Sequence, residues 1–566
     1  MFITGYAPYG ADGIIIRVET DIRRGIPGID VTGLAEGAVR EARERVRAAF
    51  RNSGLEFPLD RVLINLAPAG LRKDGAALDL PIAVSVMAAA GLVPGLAFFP
   101  EQLMVLGELE LSGRVRPVRG TLAAAAAGLR EGIRFFIVPK GNEEEAAILL
   151  GGKFAAVSSL EETVHALVLL GAGGSFPPPF RGGEGRDETA RGDFHGNFAG
   201  LAGSADPGFA DFSEVRDQER CKRALEIAAA GGHNLLVFGP PGSGKTMLAR
   251  RLPSIMTPLS AEEAVEVTRL HSLAGFPAGA EGPDGCGLPS LITRPPFRSP
   301  HHSASAEGIL GGGRTVRPGE ITLAHLGVLF LDEAPEFKAN VLQALREPLE
   351  DRVVTIARAE GPVKLPADFQ LILAANACPC GKLGSRNPAS WDFAGGGDRK
   401  QEPGGAYEQA EAWNGGNCFC GSEEIYRYWR RFGGALLDRI ELRVAVPPPD
   451  FGASAAGGES SRIIAARVAK AVAVQRRRFA GSLCRRNARI QSGQIGRFCT
   501  LTEAAGQAFH KAAERLALSG RGCHAVLKTA RTIADLEGEE TIGADHIDEA
   551  VQFRRQGDDP YDILSG

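Results

Sequence analysis

The sequence predicts an α/β protein built from several domains. Its 566 residues are too many for a single hydrophobic core. Short apolar runs alternate with helical stretches in the first 170 residues and again between residues 211 and 450, which is typical of α/β folds. From Ser460 onward the pattern is helical throughout. We therefore expect two α/β domains followed by a helical one.

The composition is that of an ordinary globular protein. The net charge is −4, so the overall charge does not by itself indicate a nucleic-acid binder. The N-terminus lacks the basic start and apolar core of a signal peptide, and the nine cysteines are few for so long a chain. Both features predict reduced thiols and a cytoplasmic location. The uncharged stretch over residues 80–100 is interrupted by Gly91, Pro94 and Gly95, which favours a packed helix and a loop over a membrane span.

The first α/β domain is predicted over residues 1–170. Residues 62–66 and 135–138 have the apolar runs of strands, whereas residues 35–52 and 121–132 have helical spacing. Residues 171–210 are rich in glycine, proline and charge, with little to bury. We predict a flexible linker there.

A glycine-rich loop then follows an apolar run and precedes a helical stretch. The loop consists of Gly239, Pro240, Pro241, Gly242, Ser243, Gly244, Lys245 and Thr246. Its glycines allow backbone N–H groups to surround phosphates, and the following helix adds positive charge at its N-terminus. Lys245 would reach the β- and γ-phosphates of ATP, and the Thr246 hydroxyl would ligate Mg²⁺. A chance glycine-rich turn is the alternative, but the flanking strand and helix favour a P-loop.

Two later apolar runs end in polar residues of the kind that nucleotide hydrolysis needs. The first ends at Asp332, which would hold Mg²⁺ through water, and at Glu333, which would orient and deprotonate the attacking water. The second leads to Asn376, whose amide would position that water. An asparagine that merely starts a turn is the alternative for Asn376.

Two arginines are candidates for contact with the nucleotide from elsewhere. Arg439 lies between apolar residues before a predicted strand, where it could stabilise charge on the γ-phosphate of a neighbouring subunit. A surface ion pair with Asp438 is the alternative. Arg521 opens a helix in the C-terminal domain and is predicted to contact the nucleotide of its own subunit, with Arg531 as its rival.

The P-loop core is predicted over residues 211–455 and a helical lid over residues 456–566. The lid helices are expected at residues 462–479, 502–518, 524–538 and 543–555.

Within the core, residues 378–421 form a cysteine-rich insertion. Cys378 with Cys380 and Cys418 with Cys420 repeat a Cys-x-Cys-Gly pattern, and four thiolates suit a tetrahedral Zn²⁺. The spacing is tighter than in the usual zinc knuckle, and the segment between the pairs is long and glycine-rich. Four reduced thiols in a flexible excursion are therefore the alternative.

Basic residues occur in two places that could contact DNA. Residues 311–319 resemble a mobile hairpin, whose Arg314 and Arg317 could contact phosphates inside a ring. For the later arginines a solvated face is the favoured interpretation; they are Arg476, Arg477, Arg478, Arg485, Arg486 and Arg489. His301 and His302 have no carboxylate or cysteine beside them, so we expect them to order a loop rather than bind a metal.

The first domain resembles the proteolytic domain of Lon-type proteases in residues 68–79 and 107–115. In that family a serine nucleophile follows an Asp-Gly pair and a lysine serves as its base. Ala77 and Leu122 occupy those places here. The resemblance therefore implies the Lon-like α/β fold, of the ribosomal S5 domain 2 type, and argues against peptidase activity.

The order of motifs along the chain resembles that of the YifB/ComM family of Mg-chelatase-like AAA+ ATPases. It comprises the P-loop, residues 297–305, residues 317–325, the Asp332-Glu333 strand, the first cysteine pair and residues 436–439. The resemblance covers nearly the whole chain apart from the linker. It implies a hexameric ring that hydrolyses ATP with Mg²⁺ and acts on DNA, as a helicase or branch-migration motor in recombination or natural transformation.

Two other functions remain open at this point. A chelatase-type motor would drive metal insertion into a porphyrin held by other subunits, and a regulatory ATPase would remodel proteins. The Lon-like domain argues against the chelatase, and the basic hairpin favours DNA.

Overall fold

The computed structural model describes residues 2–33, 37–69, 76–93, 102–173, 210–275, 291–313, 316–358, 361–383, 418–448, 458–482 and 484–555. Two sheets, each covered by helices, are followed by a helical C-terminal region. The predicted fold class is confirmed. The predicted linker falls mainly on residues outside these ranges, and the domain boundaries stay predictions.

The first sheet has seven strands in the order β3-β4-β2-β1-β5-β8-β9. Strand β2 runs antiparallel to its neighbours β1 and β4, and the other neighbouring pairs are parallel. Its strands are β1 (Phe2–Ala7), β2 (Ile14–Arg23), β3 (Gly28–Thr32), β4 (Arg61–Ala67), β5 (Leu103–Val105), β8 (Phe135–Pro139) and β9 (Phe154–Val157). A separate short ribbon joins β6 (Glu108–Leu109) to β7 (Val115–Arg116).

Five helices accompany this sheet: α1 (Gly37–Asn52), α2 (Asp79–Ala89), α3 (Thr121–Arg130), α4 (Glu143–Leu150) and α5 (Leu160–Gly173). Helix α2 is buried from Asp79 to Met87, which explains why the sequence after Asp79 carries no charge. Its one acid, Asp79, is paired with Arg45 at 2.7 Å. This part of the uncharged stretch is therefore a core helix, as predicted, and residues 94–100 lie outside the described residues.

The second sheet has five strands, all parallel, in the order β11-β14-β17-β10-β18. They are β10 (Leu235–Phe238), β11 (Phe297–Arg298), β14 (Val328–Leu331), β17 (Gln370–Ala375) and β18 (Leu442–Ala445). Its three central strands are buried on both faces, since successive residues enter different hydrophobic clusters. The carboxyl ends of the strands therefore meet at one edge, where ligands bind in such sheets.

Helices and two small hairpins surround this sheet. The helices are α6 (Glu219–Gly231), α7 (Lys245–Ile255), α8 (Ala261–Ala274), α9 (Ala306–Leu310), α10 (Glu320–Leu323), α11 (Ala339–Ala344), α12 (Arg346–Asp351), α13 (Ser422–Trp429) and α14 (Gly434–Leu437). The hairpins pair β12 (Gly311–Gly312) with β13 (Arg317–Pro318) and β15 (Val353–Ile356) with β16 (Val363–Pro366).

The C-terminal region is helical, as predicted, with α15 (Ser461–Arg478), α16 (Ile495–Phe498), α17 (Glu503–Arg515), α18 (Gly520–Glu537) and α19 (Ala544–Arg555). Helix α18 begins four residues before the predicted start. The Ser519 hydroxyl accepts the Gly522 N–H at 3.0 Å, and this N-cap sets the true start of the helix. Helix α15 shares the hydrophobic cluster of α6 and α7, so the lid packs against one face of the sheet.

Candidate nucleotide site

The P-loop connects β10 to α7 at the carboxyl edge of the second sheet. Gly242 and Gly244 have φ of +77° and +91°, a region that glycine enters without strain. At Gly239 a Cβ atom would lie 2.2 Å from the Val446 carbonyl oxygen. These positions therefore require glycine for backbone reasons, and the loop keeps the shape that a phosphate cradle needs.

Lys245 folds back over the P-loop. Its Nζ donates to the carbonyl oxygens of Gly239 and Pro240 at 2.9 and 2.7 Å. Burial lowers the pKa of Lys245 to about 8, although the carboxylates of Asp332 and Glu333 oppose the shift. A buried ammonium bonded to neutral oxygens, here two carbonyls and the Ser243 hydroxyl, gains more from an anion than it does from these partners, so the arrangement fits a phosphate.

Thr246, in the first turn of α7, and Asp332, the residue after β14, lie next to each other. The Thr246 hydroxyl donates to Asp332 Oδ2 at 2.7 Å, and Asp332 Oδ1 accepts the Glu333 N–H at 3.0 Å. A hydroxyl and a carboxylate are hard oxygen ligands of the kind that Mg²⁺ prefers. The donor set therefore fits the predicted Mg²⁺ site beside the phosphate cradle.

Glu333 has a left-handed backbone, with φ of +49° and ψ of +44°. For a residue with a Cβ this conformation costs roughly 1–3 kcal/mol, and such strain concentrates at functional sites. Its carboxylate is 59% exposed and lies 3.8 Å from His302 Nδ1. Sequence reasoning assigned His302 only a loop role. The parallel pairing of β11 with β14 brings the two residues together, and the order of motifs does not show that pairing.

His301 behaves as the sequence predicted. Its Nδ1 contacts the Ser303 hydroxyl at 2.8 Å and accepts the Ser303 N–H at 3.3 Å, so its ring orders the turn. Its ring also lies against that of His302, with centroids 4.1 Å apart.

Asn376 follows β17 directly, so it lies at the same edge as the P-loop. Its Nδ2 is 3.9 Å from the point that a Cβ on Gly381 would occupy, and the Pro241 ring is 3.1 Å from that same point. The Asn376 backbone N–H is hydrogen-bonded to the buried Tyr428. The structure therefore brings the Asn376 amide close to the P-loop.

Arg439 lies at the opposite edge of the sheet. Its carbonyl oxygen accepts from Asn234 Nδ2 at 2.9 Å, and Asn234 is the residue before β10. The P-loop leaves the other end of that strand, which is about 13 Å away at ~3.3 Å per residue. The Arg439 side chain is 11% exposed and pairs with Glu350 at 2.7 Å. The predicted alternative, an ion pair with Asp438, is not the pair that forms.

Arg521 lies beside Arg439 and away from its own P-loop. Its guanidinium pairs with Glu350, the partner of Arg439, and with Asp438 at 3.4 Å. In these contacts Arg521 lies near the amino edge of the sheet, and the predicted contact with the nucleotide of the same subunit stays a prediction. Its rival Arg531 is 1% exposed and donates to Asp535 and to the carbonyl oxygens of residues 539 and 540. Arg531 therefore has a structural role.

The two cysteine pairs converge. The sulfur atoms of four cysteines all lie within 4.8 Å of one another; these are Cys378, Cys380, Cys418 and Cys420. The Sγ atoms of Cys378 and Cys418, which are 40 residues apart, approach to 3.6 Å. These four residues could hold a metal ion, and both the zinc site and its alternative of four reduced thiols stay predictions.

The later arginines are divided between a solvated face and contacts with the protein, so the predicted solvated face holds for part of the run: Arg476, Arg477 and Arg485 are exposed, whereas Arg478, Arg486 and Arg489 are half-buried. Arg478 pairs with Asp535 at 2.5 Å, and Arg489 pairs with Asp368 at 2.9 Å. Arg485 pairs with Glu263 at 3.2 Å, while Arg486 donates to the Thr257 hydroxyl and Arg476 to the Pro258 carbonyl. Apart from Arg478, whose partner Asp535 belongs to the lid, these side chains contact core residues and so connect the lid to the core.

The predicted hairpin at residues 311–319 is present, and Arg317 is exposed on it. Arg314 lies outside the described residues. The second hairpin, which sequence reasoning missed, carries exposed Arg358 and Lys364, and Arg358 donates to the Gly313 carbonyl of the first. Alternation of apolar and polar residues in Val353–Ile356 and Val363–Pro366 was the available signal.

In the first domain, the two positions of the Lon-like nucleophile and base are apolar and packed. Leu122 is fully buried in α3, and its N–H donates to Glu145 Oε1 at 2.8 Å. Ala77 packs against a cluster that includes Leu273 of α8. Burial raises the pKa of Glu145, and its carboxylate also accepts from Ser272 of α8. The first domain is thus attached to the core through this region.

Comparison with known proteins finds a match for three parts of the chain. Residues 211–392 match the family described as magnesium chelatase, subunit ChlI; residues 18–142 match subunit ChlI of Mg-chelatase; and residues 458–554 match the ChlI C-terminal family. The Lon protease of Geobacter metallireducens is 27% identical over 191 residues, 32% of this chain and 23% of that protein. Among the described residues, no helix combines the length and apolar character needed to cross a membrane.

Other relatives align over almost their entire length, among them the following two. The YifB protein of Escherichia coli is 37% identical over 557 residues, which cover 97% of this chain and 96% of that protein. The competence protein ComM of Haemophilus influenzae is 35% identical over 552 residues, with the same coverage. The chain therefore belongs to the YifB/ComM family of Mg-chelatase-like AAA+ ATPases.

Proposed function

We propose that this chain is the subunit of a cytoplasmic, homohexameric ring that hydrolyses ATP with Mg²⁺ and uses the energy to move DNA. The observation that carries the proposal is the division of the site between two edges of one sheet. The phosphate cradle, the acids and Asn376 lie at the carboxyl edge, whereas Arg439 lies at the amino edge. A second copy of the chain is needed to bring Arg439 to a nucleotide.

At the carboxyl edge the roles follow from position. The P-loop N–H groups and Lys245 would hold the phosphates, and Thr246 with Asp332 would hold Mg²⁺, which when bound neutralises phosphate charge. Glu333, exposed and beside His302, would accept the proton of the attacking water. Asn376 would orient that water from the side of β17.

At the amino edge, Arg439 would act on the nucleotide of the neighbouring subunit. Its guanidinium stays charged and can engage two oxygens at once, which suits a developing charge on the γ-phosphate. Arg439 now pairs with Glu350, so engagement requires exchange of a carboxylate for a phosphate. Arg521 shares Glu350, and we propose that it too faces the neighbour's nucleotide rather than its own.

DNA is proposed as the substrate because two hairpins combine their basic residues on one surface. Arg317 is exposed on the first hairpin, and Arg358 and Lys364 are exposed on the second. The contact between Arg358 and Gly313 holds the two hairpins together. The two hairpins precede and follow β14 in the chain, and β14 leads directly to Asp332, so they are placed to move as the site cycles. The competence role in the name of the ComM relative is consistent with DNA.

The test is ATP turnover with and without single-stranded and branched DNA. We expect stimulation by DNA, and the double variant Arg317→Ala, Arg358→Ala should weaken DNA binding and reduce its salt slope by about 2, since each phosphate contact contributes ~0.9. Arg430→Ala, at another exposed arginine, is the matched control. If DNA leaves the rate of ATP hydrolysis unchanged and a porphyrin-binding or other protein partner raises it, a chelatase-type or protein-remodelling ATPase is favoured.

We further propose that the four-cysteine centre binds Zn²⁺. Four thiolates within reach of one point form a closed tetrahedral set, which is typical of structural zinc. One zinc per chain by elemental analysis is expected, and protein purified under zinc-replete conditions without bound metal would contradict the assignment.

A further inference from the structure

The four-cysteine centre lies against the nucleotide site. Gly381, which follows the first cysteine pair, has φ of +75°. The position of a Cβ on this glycine would be 3.1 Å from Pro241 of the P-loop and 3.9 Å from Asn376 Nδ2. The turn that carries Cys378 and Cys380 therefore packs between the P-loop and the proposed water-orienting amide.

The second cysteine pair leads directly into a helix that contacts the same site. Helix α13 begins one residue after Gly421, and its Trp429 Nε1 donates to the Ala377 carbonyl at 3.1 Å. The Trp429 ring meets Phe238, the last residue before the P-loop, edge to face at 5.6 Å. Tyr428 is hydrogen-bonded to the backbone N–H of Asn376.

The same helix region reaches the turn that carries Glu333. Arg431, two residues after α13, donates to the Pro335 carbonyl at 3.0 Å and contacts Glu336 at 3.3 Å. The segment that starts at the second cysteine pair thus contacts the strand before the P-loop, the backbone of Asn376 and the acidic turn. All three belong to the proposed catalytic edge.

An ion bound by both pairs would cross-link these contacts. The pairs are separated by 37 residues of sequence between Cys380 and Cys418, and closing such a loop costs entropy that a metal can offset. The cross-link would hold the Gly381 turn against Pro241, and α13 against Phe238 and Asn376. Metal binding would then set the position of Asn376 relative to the phosphates.

We propose that the zinc centre is a positioning element of the ATPase: it holds Asn376 and the P-loop in register for turnover. The proposal rests on the zinc and ATPase assignments above. Zinc loss should lower turnover far more than nucleotide affinity, because Lys245 and the P-loop glycines shape the phosphate cradle, whereas Asn376 is placed by contacts with the cysteine turn and α13. If the zinc site were merely structural, its loss would instead lower turnover, nucleotide affinity and overall stability together.

The experiment compares the full chain with Cys380→Ser, Cys420→Ser double substitution. Cys523→Ser, at a half-buried cysteine of α18 outside the centre, is the control. We expect loss of zinc, faster hydrogen exchange in residues 376–383 and 422–429, turnover reduced about tenfold or more and ATP affinity changed less than about threefold. Cys420→His, which keeps a zinc ligand, should restore both metal and turnover.

Each outcome separates the assignments. If the parent chain binds no zinc, the zinc assignment and this inference both fail, while the assignment of the chain as an ATPase still stands. If zinc is bound but its loss leaves turnover and exchange unchanged, only the positioning role is overturned. If the double variant does not fold, the parent chain is stripped with a chelator and reloaded in the presence of Mg²⁺. Turnover that then follows zinc occupancy supports the proposal, and turnover independent of it overturns the proposal.

Discussion

The two sheets of this chain are both α/β frameworks, but they place different chemistry at their functional positions. In the seven-stranded sheet, Ala77 and Leu122 stand where a Lon-like peptidase needs a nucleophile and a base, and Leu122 is fully buried. In the five-stranded sheet, Lys245 follows the loop after β10, Asp332 and Glu333 follow β14, and all three lie at one edge. A shared class of fold therefore says little about activity, which depends on a few residues after particular strands.

The largest expected effect removes the proposed base from the five-stranded sheet. Glu333→Gln should lower turnover by about 10²–10⁴-fold, since it cannot accept a proton, while ATP binding persists because the phosphate cradle is intact. Steady-state hydrolysis and equilibrium nucleotide binding measure the two effects. Glu336→Gln, an acid on the same turn, is the control. Parental turnover in Glu333→Gln would show that the base has been misassigned.

A smaller effect is expected at His302. Its ring lies 3.8 Å from the Glu333 carboxylate, so His302→Ala should misplace Glu333 and slow turnover about tenfold with little change in ATP affinity. His301→Ala, which removes the adjacent ring that bonds Ser303, separates the effect on Glu333 from the effect on the loop. If both variants lose turnover equally, His302 only orders the loop and does not position Glu333.

The pH dependence of ATP binding should be weaker still. Burial lowers the pKa of Lys245 to about 8, and the ammonium is the form that pairs with phosphate. Affinity should therefore be insensitive to Lys245 well below pH 8 and should fall above it, by at most about tenfold per pH unit. Calorimetry at pH 8.5 in buffers of different ionisation enthalpy should detect proton uptake. Binding without proton uptake there would mean that Lys245 stays charged in the empty site.

The smallest expected effect concerns the seven-stranded sheet. The purified chain should cleave neither casein nor peptides, because Ala77 and Leu122 supply neither nucleophile nor base. Cleavage that persists in a Lys245→Ala background, where ATP-dependent activity is removed, would overturn this expectation.

The sequence predicted most of the fold and the carboxyl edge of the site. The P-loop, the two acids and Asn376 each follow a buried strand directly, so local pattern and parallel pairing are enough to place them. The roles of Arg521 and His302 depend on how distant segments pack. Arg521 joins Arg439 through Glu350, 171 residues away along the chain, and no local pattern encodes that contact. The sequence spacing likewise does not show that the two cysteine pairs, separated by residues 381–417, come together; only the folded structure shows it.

The central claim is that each site is completed by Arg439 of the neighbouring subunit, and a mixing experiment tests it most directly. Lys245→Ala and Arg439→Ala should each be inactive alone. In randomly mixed rings about a quarter of the interfaces pair an intact P-loop with an intact Arg439, so about a quarter of the parental turnover should return if interfaces act independently. Mixing Arg439→Ala with a chain that carries both substitutions should restore nothing. Full activity of Arg439→Ala alone, or no recovery while mixed rings form, would contradict the account.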